Sequence, residues 1–314
     1  MKNMTRVIIA ILVMGFVHAF GQNPTRGSRI FISRDSGINW EKLDSGFPDD
    51  GINAWVFKDE TLFVGTDMNG VWTSSDQGKH WYASGKGLPH EARIISMVAY
   101  ADLVWAGTFR HGLYFTADNG AHWSHSSLPV ANASIRSLFA VKGTFLVGTD
   151  IGMYKSTDVG KTWGEHIQIQ GAEPHCLDRS QINEIRSIDN DLYAATSHGA
   201  MTSKDLGKTW QYIFHNKAIQ SIAGDKREIT LLDFSGTVYR STRYEICWLM
   251  VDKFLPFPAY FKLTPASPKL LKHGWEGMLI HTPTYRSGLP QDIPFGKILP
   301  APFGLLVASY GDGC

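Results

Sequence analysis

Five aspartates stand in one repeated setting, Ser/Thr-x-Asp-x-Gly-x-x-Trp: Asp35, Asp76, Asp118, Asp158 and Asp205. Each is followed by a glycine (Gly37, Gly78, Gly120, Gly160, Gly207) and then by a tryptophan (Trp40, Trp81, Trp123, Trp163, Trp210). A carboxylate can serve as general acid or base, or it can accept hydrogen bonds from its own backbone. Catalysis needs one unique arrangement, whereas five equivalent copies mark a turn that needs the same chemistry each time. The Asp can fold back onto loop N–H groups, the Gly supplies a positive φ, and the Trp can pack beneath the turn with a partner for its indole N–H. These fifteen residues are therefore read as structural staples.

Residues that depart from the repeat are better candidates for a site. Arg136 and Arg186 lie in the runs Ile135-Arg136-Ser137-Leu138 and Ile185-Arg186-Ser187-Ile188 and read as equivalent positions of consecutive repeats. Two guanidiniums so placed can hold a carboxylate bidentately. Arg110 and His111 break the pattern of a turn whose counterparts carry Asp67, Asp150 and His198. His and Cys show no metal-ligand spacing, and neither a phosphate-cradling glycine loop nor a nucleophile elbow is written in the chain. No catalytic residue, metal or cofactor is expected. The remaining acids Glu91, Asp102, Glu173, Asp178, Glu184, Asp189 and Asp191 give no facing carboxylate pair of the glycosidase type by sequence.

The elements that must position these residues follow from the spacing. The five phrases start 41, 42, 40 and 47 residues apart, each between short apolar runs rich in β-branched and aromatic residues. A period near forty with short strands predicts a radial array of four-stranded antiparallel sheets. Upstream of each box lies a companion phrase, as in Leu62-Phe63-Val64-Gly65-Thr66 with Gly70, and Val104-Trp105-Ala106-Gly107-Thr108 with Gly112.

The boxed phrase resembles the Asp-box, or BNR repeat, of sialidase-type β-propellers. The fuller repeat is similar to that of the photosystem II stability/assembly factor-like proteins and of the sortilin and xyloglucanase propellers, over roughly residues 28–242. The resemblance implies an all-β fold, a single propeller with the boxes on outer hairpins, away from the face that binds partners. A non-enzymatic binding or assembly protein recognising a protein or carbohydrate partner on one face of the ring is the expected function. The alternative is a sialidase-like glycoside hydrolase, which implies an arginine triad, a Tyr/Glu nucleophile pair and an Arg-Ile-Pro phrase. This chain has no Arg-Ile-Pro, and Arg136 and Arg186 match no triad position by position. The xyloglucanase reading implies two propellers in one chain, more than this length provides.

Seven blades is the preferred count. A decayed sixth box, Ser241 to Trp248, has Arg243 where Asp belongs and Glu245 where Gly belongs, and its hairpin is expected to be poorly stapled. A degenerate blade fits between it and the C-terminus, with 277–287 as its inner hairpin. The strand Arg29 to Ile32 and the strand around Leu305 are complementary halves of one blade that would close the ring. Six blades plus an insertion is the alternative.

Lys2 and Arg6 before the apolar run Val7–Val17 describe a signal peptide over residues 1–21, leaving a propeller domain over 22–314 with degenerate blades in 243–314. Secretion or periplasmic export is expected, with no membrane span. With 30 basic against 29 acidic residues, a nucleic-acid partner is not expected. A monomer is expected. Cys176, Cys247 and Cys314 are too few for a disulfide scaffold, and Asn132-Ala133-Ser134 is a glycosylation sequon.

Overall fold

The structure, a computed structural model, describes residues 30–34, 39, 41–43, 46–164, 180–235, 237–243, 248–253, 295–301 and 304–309. Residues 1–21, read as a signal peptide, residues 277–287, expected to form a hairpin, the first box (Asp35, Gly37, Trp40) and all three cysteines lie outside the described residues.

The described chain is all β. Strands β1 (Ile30–Ser33) and β2 (Glu41–Lys42) open it. Sheet 2 holds β3 (Ile52–Lys58), β4 (Thr61–Thr66), β5 (Val71–Ser74) and β6 (Tyr82–Ala83). Sheet 3 holds β7 (Ile94–Tyr100), β8 (Leu103–Thr108), β9 (Leu113–Thr116) and β10 (Ser124–His125). Sheet 4 shows three strands among the described residues, β11 (Ile135–Val141), β12 (Thr144–Thr149) and β13 (Gly152–Ser156). Sheet 5 holds β14 (Ile182–Ile188), β15 (Asp191–Thr196), β16 (Gly199–Ser203) and β17 (Gln211–His215). Sheet 6 holds β18 (Ile219–Gly224), β19 (Glu228–Asp233), β20 (Thr237–Thr242) and β21 (Leu249–Lys253). Finally β22 (Phe295–Ala301) and β23 (Gly304–Ser309) join β1 and β2 in sheet 1, where β1 runs antiparallel to β23 with Phe31 opposite Val307. The two ends of the chain thus share one sheet.

Each second strand reads as a continuous apolar run because it is covered on both faces. Leu62, Phe63 and Val64 are fully buried, as are Phe145, Leu146 and Val147. The core lies between neighbouring sheets: Ile30, Ile32 and Leu43 of sheet 1 pack on Ile52, Leu62, Val64 and Trp81 of sheet 2. The same interleaving recurs from sheet 2 through sheet 6. Full burial of one such aliphatic side chain contributes about 1.5–3 kcal/mol. The glycine of the companion phrase permits the close approach. A Cβ on Gly148 would come 2.6 Å from Cγ2 of Ile182 in the next sheet.

Because every full repeat runs through its strands in the same order, the turns sort onto two edges. The turns from second to third strand lie at one edge, beside the loops that enter the innermost strands. Asp67 N donates to Gly51 O and Phe109 N to Arg93 O across that edge. The boxed turns lie at the opposite edge.

Candidate functional site

The boxed edge is a set of hydrogen-bonded staples. In the second box, Ser74 Oγ donates to Asp76 Oδ1 at 2.9 Å and accepts from Gly78 N at 2.8 Å, while Asp76 Oδ1 accepts from His80 N. Thr116/Asp118, Ser156/Asp158 and Ser203/Asp205 repeat the pattern. The bonds are strongest when the carboxylates are ionised. Burial raises the Asp76 and Asp205 carboxyls, but the hydrogen bonds from His80 and Ser74, and from Thr209, Ser203 and Lys208, outweigh it and hold both down at about 2. Asp158 sits at about 2, lowered first by the Thr162 hydroxyl, and the Asp118 carboxyl is lowered first by the Thr116 hydroxyl.

Two features of these turns were not in the sequence reading. The residue before each glycine is also left-handed: Gln77 at φ 65°, Asn119 at 54°, Val159 at 59° and Leu206 at 58°. In two of the four described boxes the indole N–H finds its partner in the preceding sheet, while the Trp81 and Trp210 indoles are buried without one among the described residues. Trp123 Nε1 donates to Ser84 O at 2.6 Å and Trp163 Nε1 to Ser126 Oγ at 3.2 Å. The staple therefore closes a turn and fastens it to its neighbour.

Residues 244–247 of the sixth box lie outside the described residues, but Arg243 and Trp248 are described. Arg243 reaches back to sheet 5, with Nη1 2.9 Å from Asp189 Oδ2 and Nη2 2.7 Å from Asp191 Oδ2, and its side chain is 10% exposed. An arginine in the aspartate position thus forms a clasp between sheets. Trp248 Nε1 donates to Ile213 O of sheet 5, as Trp123 and Trp163 do to their preceding sheets.

The pairing of Arg136 with Arg186 needs correction. Ile135 stands opposite Thr149 and Ile182 opposite Thr196, each followed by a bulge, so the position equivalent to Arg136 is Asn183. Arg186 lies three residues further along and is equivalent to Phe139. Arg186 is also engaged, its Nη2 2.5 Å from Glu184 Oε1. Glu184, 5% exposed, replaces the serines Ser96, Ser137 and Ser221 and passes the contact on: its Oε2 accepts from Ser221 Oγ and Ile222 N of sheet 6. Ser96 Oγ likewise donates to Ile135 O, and Ser137 Oγ accepts from Ile185 N. The innermost strands are latched to one another by these groups, and Glu184 and Arg186 form the most polar latch.

The opposite edge is built differently. Threonine ends the second strand and pins each tip: Thr66, Thr108, Thr149 and Thr196 donate to the carbonyls of Gly70, Gly112, Gly152 and Gly199 at 2.7–3.0 Å. In sheet 6 Asp233 takes that place. It is buried, accepts from Ser235 N and Thr237 N, and meets Lys217 Nζ at 2.8 Å while Tyr239 also contacts the ammonium. Burial raises the Asp233 carboxyl, but Lys217, Ser235 and Thr237 lower it further, and hydrogen bonds to Asp233 and Tyr239 raise the Lys217 ammonium.

With the tips pinned, their outer residues are free to differ. Among the described residues four large hydrophobic side chains are exposed, and three of them stand on these tips: Met68 (55%), Ile151 (39%) and Phe234 (38%). On the tip of sheet 3, Phe109 is half-buried and Arg110 is exposed, with its guanidinium 4.9 Å from the Phe109 ring centroid. Arg93 lies 5.5 Å from the same ring and is held by Asp67 at 2.9 Å. His111 and His198 are exposed on their tips. Of the sequence candidates, Arg110 and His111 thus share this surface, and Arg186 lies among the latches. The apolar tip residues were missed, although each follows the Thr-Asp or Asp pinning position in the sequence.

Antiparallel sheets laid side by side, with sheets 2 to 5 each closed at one edge by a Ser/Thr–Asp–Gly–Trp turn, have the fold of a β-propeller. The sequence matches no protein-family model and no curated protein. Among solved structures the chain is similar to an ancestral GH74 enzyme, with 16% identity and a TM-score of 0.57 over 76% of this chain and 35% of that one. It is also similar to the computationally designed Ika8 protein, with 12% identity and a TM-score of 0.54 over 92% and 82% of the two chains. A looser likeness joins it to YCF48 bound to D1 peptide, with 19% identity and a TM-score of 0.48 over 63% and 66%. This chain spans about a third of the GH74 enzyme's length, and at these identities the likeness concerns the fold alone.

Proposed function

We propose that this protein is an exported, non-enzymatic propeller that recognises a protein partner through the tips of its second-to-third-strand turns. The observation that carries this reading is the gathering of Met68, Ile151 and Phe234 at one edge, while the boxed edge spends its side chains on its own turns. Exposed apolar groups set among polar ones mark interaction sites, and a flexible thioether beside a branched aliphatic suits a protein surface better than a sugar's hydroxyls. The carboxylates of Glu184, Asp189 and Asp191 are committed to Ser221, Arg186 and Arg243, which leaves them poorly placed for hydrolysis. We further read the ring as seven-bladed: residues 254–294 amount to about one period, and the shared sheet 1 supports closure through the chain ends. The run Val7–Val17 after Lys2 and Arg6 supports export.

The test uses cross-linking in the exported fraction, comparing the wild type with a Met68→Ser, Ile151→Ser, Phe234→Ser variant. A discrete protein adduct lost in the variant, with the same melting temperature, supports the reading. An adduct unchanged in the variant, or robust turnover of a fluorogenic sialoside, overturns it.

A further inference from the structure

We propose that Arg110, laid over Phe109, is the anchor for a carboxylate within an acidic, apolar segment of the partner. The inference rests on the tip-binding reading above and adds the chemistry of what the tips recognise.

The argument is one of unbalanced charge at a particular edge. Every carboxylate on the described tips is turned inward. Asp67 meets Arg93 and accepts from Asn53 Nδ2 at 2.5 Å. Asp150 accepts from Ser134 N, and Asp233 is enclosed by Ser235, Thr237 and Lys217. Asp50, beside the first of these tips, accepts from Gly51 N, Met68 N, Asn69 N and Asn69 Nδ2. Arg110 is the opposite case: it is exposed, and its one interaction among the described residues is with the Phe109 ring.

The local backbone supports a presented side chain. Arg110 has φ 64°, a left-handed conformation that lifts a tip residue away from the strand pair, and His111 N is pinned by Thr108 Oγ1 at 3.1 Å. The ring restricts the guanidinium before any partner arrives, so less rotamer freedom is lost on pairing. Arg93 neutralises Asp67, so the nearest tip carboxylate does not repel an incoming acid. The exposed Asp49 and Glu91 stand on the neighbouring entry loops rather than on the tip that carries Arg110. Met68 and Ile151, on the tips of the flanking sheets, supply apolar contact to either side.

The experiment measures fluorescence anisotropy of a fluorescein-labelled peptide of alternating leucine and glutamate on the full chain, beside the same peptide with glutamine for glutamate. The glutamate peptide should bind about tenfold tighter, and the difference should shrink as salt rises. Arg110→Ala should erase the difference, and Arg110→Lys should restore only part of it, since an ammonium lacks the planar fork. Equal affinity for the two peptides, a preference that survives Arg110→Ala, or no binding of the glutamate peptide up to about 1 mM overturns the proposal. The two readings separate cleanly. Equal binding of both peptides, abolished by Met68→Ser with Ile151→Ser, retains the tips and removes the arginine anchor. A glutamate preference untouched by that pair retains the anchor and removes the apolar tips.

Discussion

The two edges of the sheets use carboxylates, hydroxyls and glycines to opposite ends. At the boxed edge Asp76, Asp118, Asp158 and Asp205 each take the same donors, and the following tryptophans lie against the preceding sheet. At the other edge the hydroxyls of Thr66, Thr108, Thr149 and Thr196 hold the turn from below, and the residues above them vary from Met68 to Arg110 to Ile151 to His198. A side chain committed to its own turn must be the same in each copy. A turn pinned by its strand's last residue can change its tip without refolding. Variation within the repeat thus points to the edge where a partner can be read.

The largest blow to the comparison should come from the boxed edge. Trp123 is 1% exposed and joins two sheets through its ring and its indole N–H. Trp123→Ala should cost about 3–5 kcal/mol in denaturant unfolding. A cost near that of an exposed substitution would mean that the boxes are not the fasteners of the fold.

Arg243 gives a sharper test because two readings of the same residue predict opposite signs. If the sixth box had merely decayed, Arg243→Asp would restore the turn staple and stabilise the protein. The clasp to Asp189 and Asp191 predicts the reverse, a loss of about 1.5–3 kcal/mol, since three carboxylates would then crowd one place. Denaturant midpoints of the two proteins decide between them, and Arg243→Lys should fall between.

The elements legible in the sequence were those that repeat. Asp158 and Gly160 announce a turn because each does locally what its copies do. The register of Arg136 and Arg186 was not legible, because the strand Ile182–Ile188 begins Ile-Asn-Glu-Ile, and a run starting at either isoleucine fits the apolar pattern. The bulge after Ile182, visible only in the pairing with Thr196, decides it. Partners that lie far apart in sequence were equally hidden: Arg243 bonds Asp191 across fifty-two residues and Trp123 bonds Ser84 across thirty-nine. Exposure of Met68 and Ile151 belongs to the assembled sheets, which no local pattern records.

Acid should separate the edges next. The Asp76, Asp158 and Asp205 carboxyls sit at about 2 in the folded protein, below the ~3.9 of an unfolded aspartate. A lowered folded value means the stabilisation is complete above the unfolded value and is lost as pH falls toward 2. Hydrogen exchange should therefore show the amides bonded to these carboxylates, such as His80 N and Thr162 N, losing protection between about pH 4 and pH 2. The tip amides bonded to threonine hydroxyls, such as Ile151 N, should keep theirs, because a hydroxyl does not titrate there. Equal loss at both edges would show that the carboxylates do not set the difference.

The smallest effect concerns the position before the box glycine. Gln77 and Asn119 occupy the left-handed region there, and so do Val159 and Leu206, whose branched side chains fit it poorly. A left-handed residue costs roughly 1–2 kcal/mol, and asparagine bears this best among residues with a Cβ. Val159→Asn and Leu206→Asn should each stabilise the protein by up to about 1 kcal/mol, seen as a rise in the denaturant midpoint. The Lys155 bond to Leu206 runs to a backbone carbonyl and survives the change. Arg110 shares the same backbone region at the other edge, at φ 64°, but there Arg110→Asn should raise stability while removing the glutamate preference. One substitution type would then improve both edges as turns and damage only one of them as a surface, which is the distinction between a staple and a site.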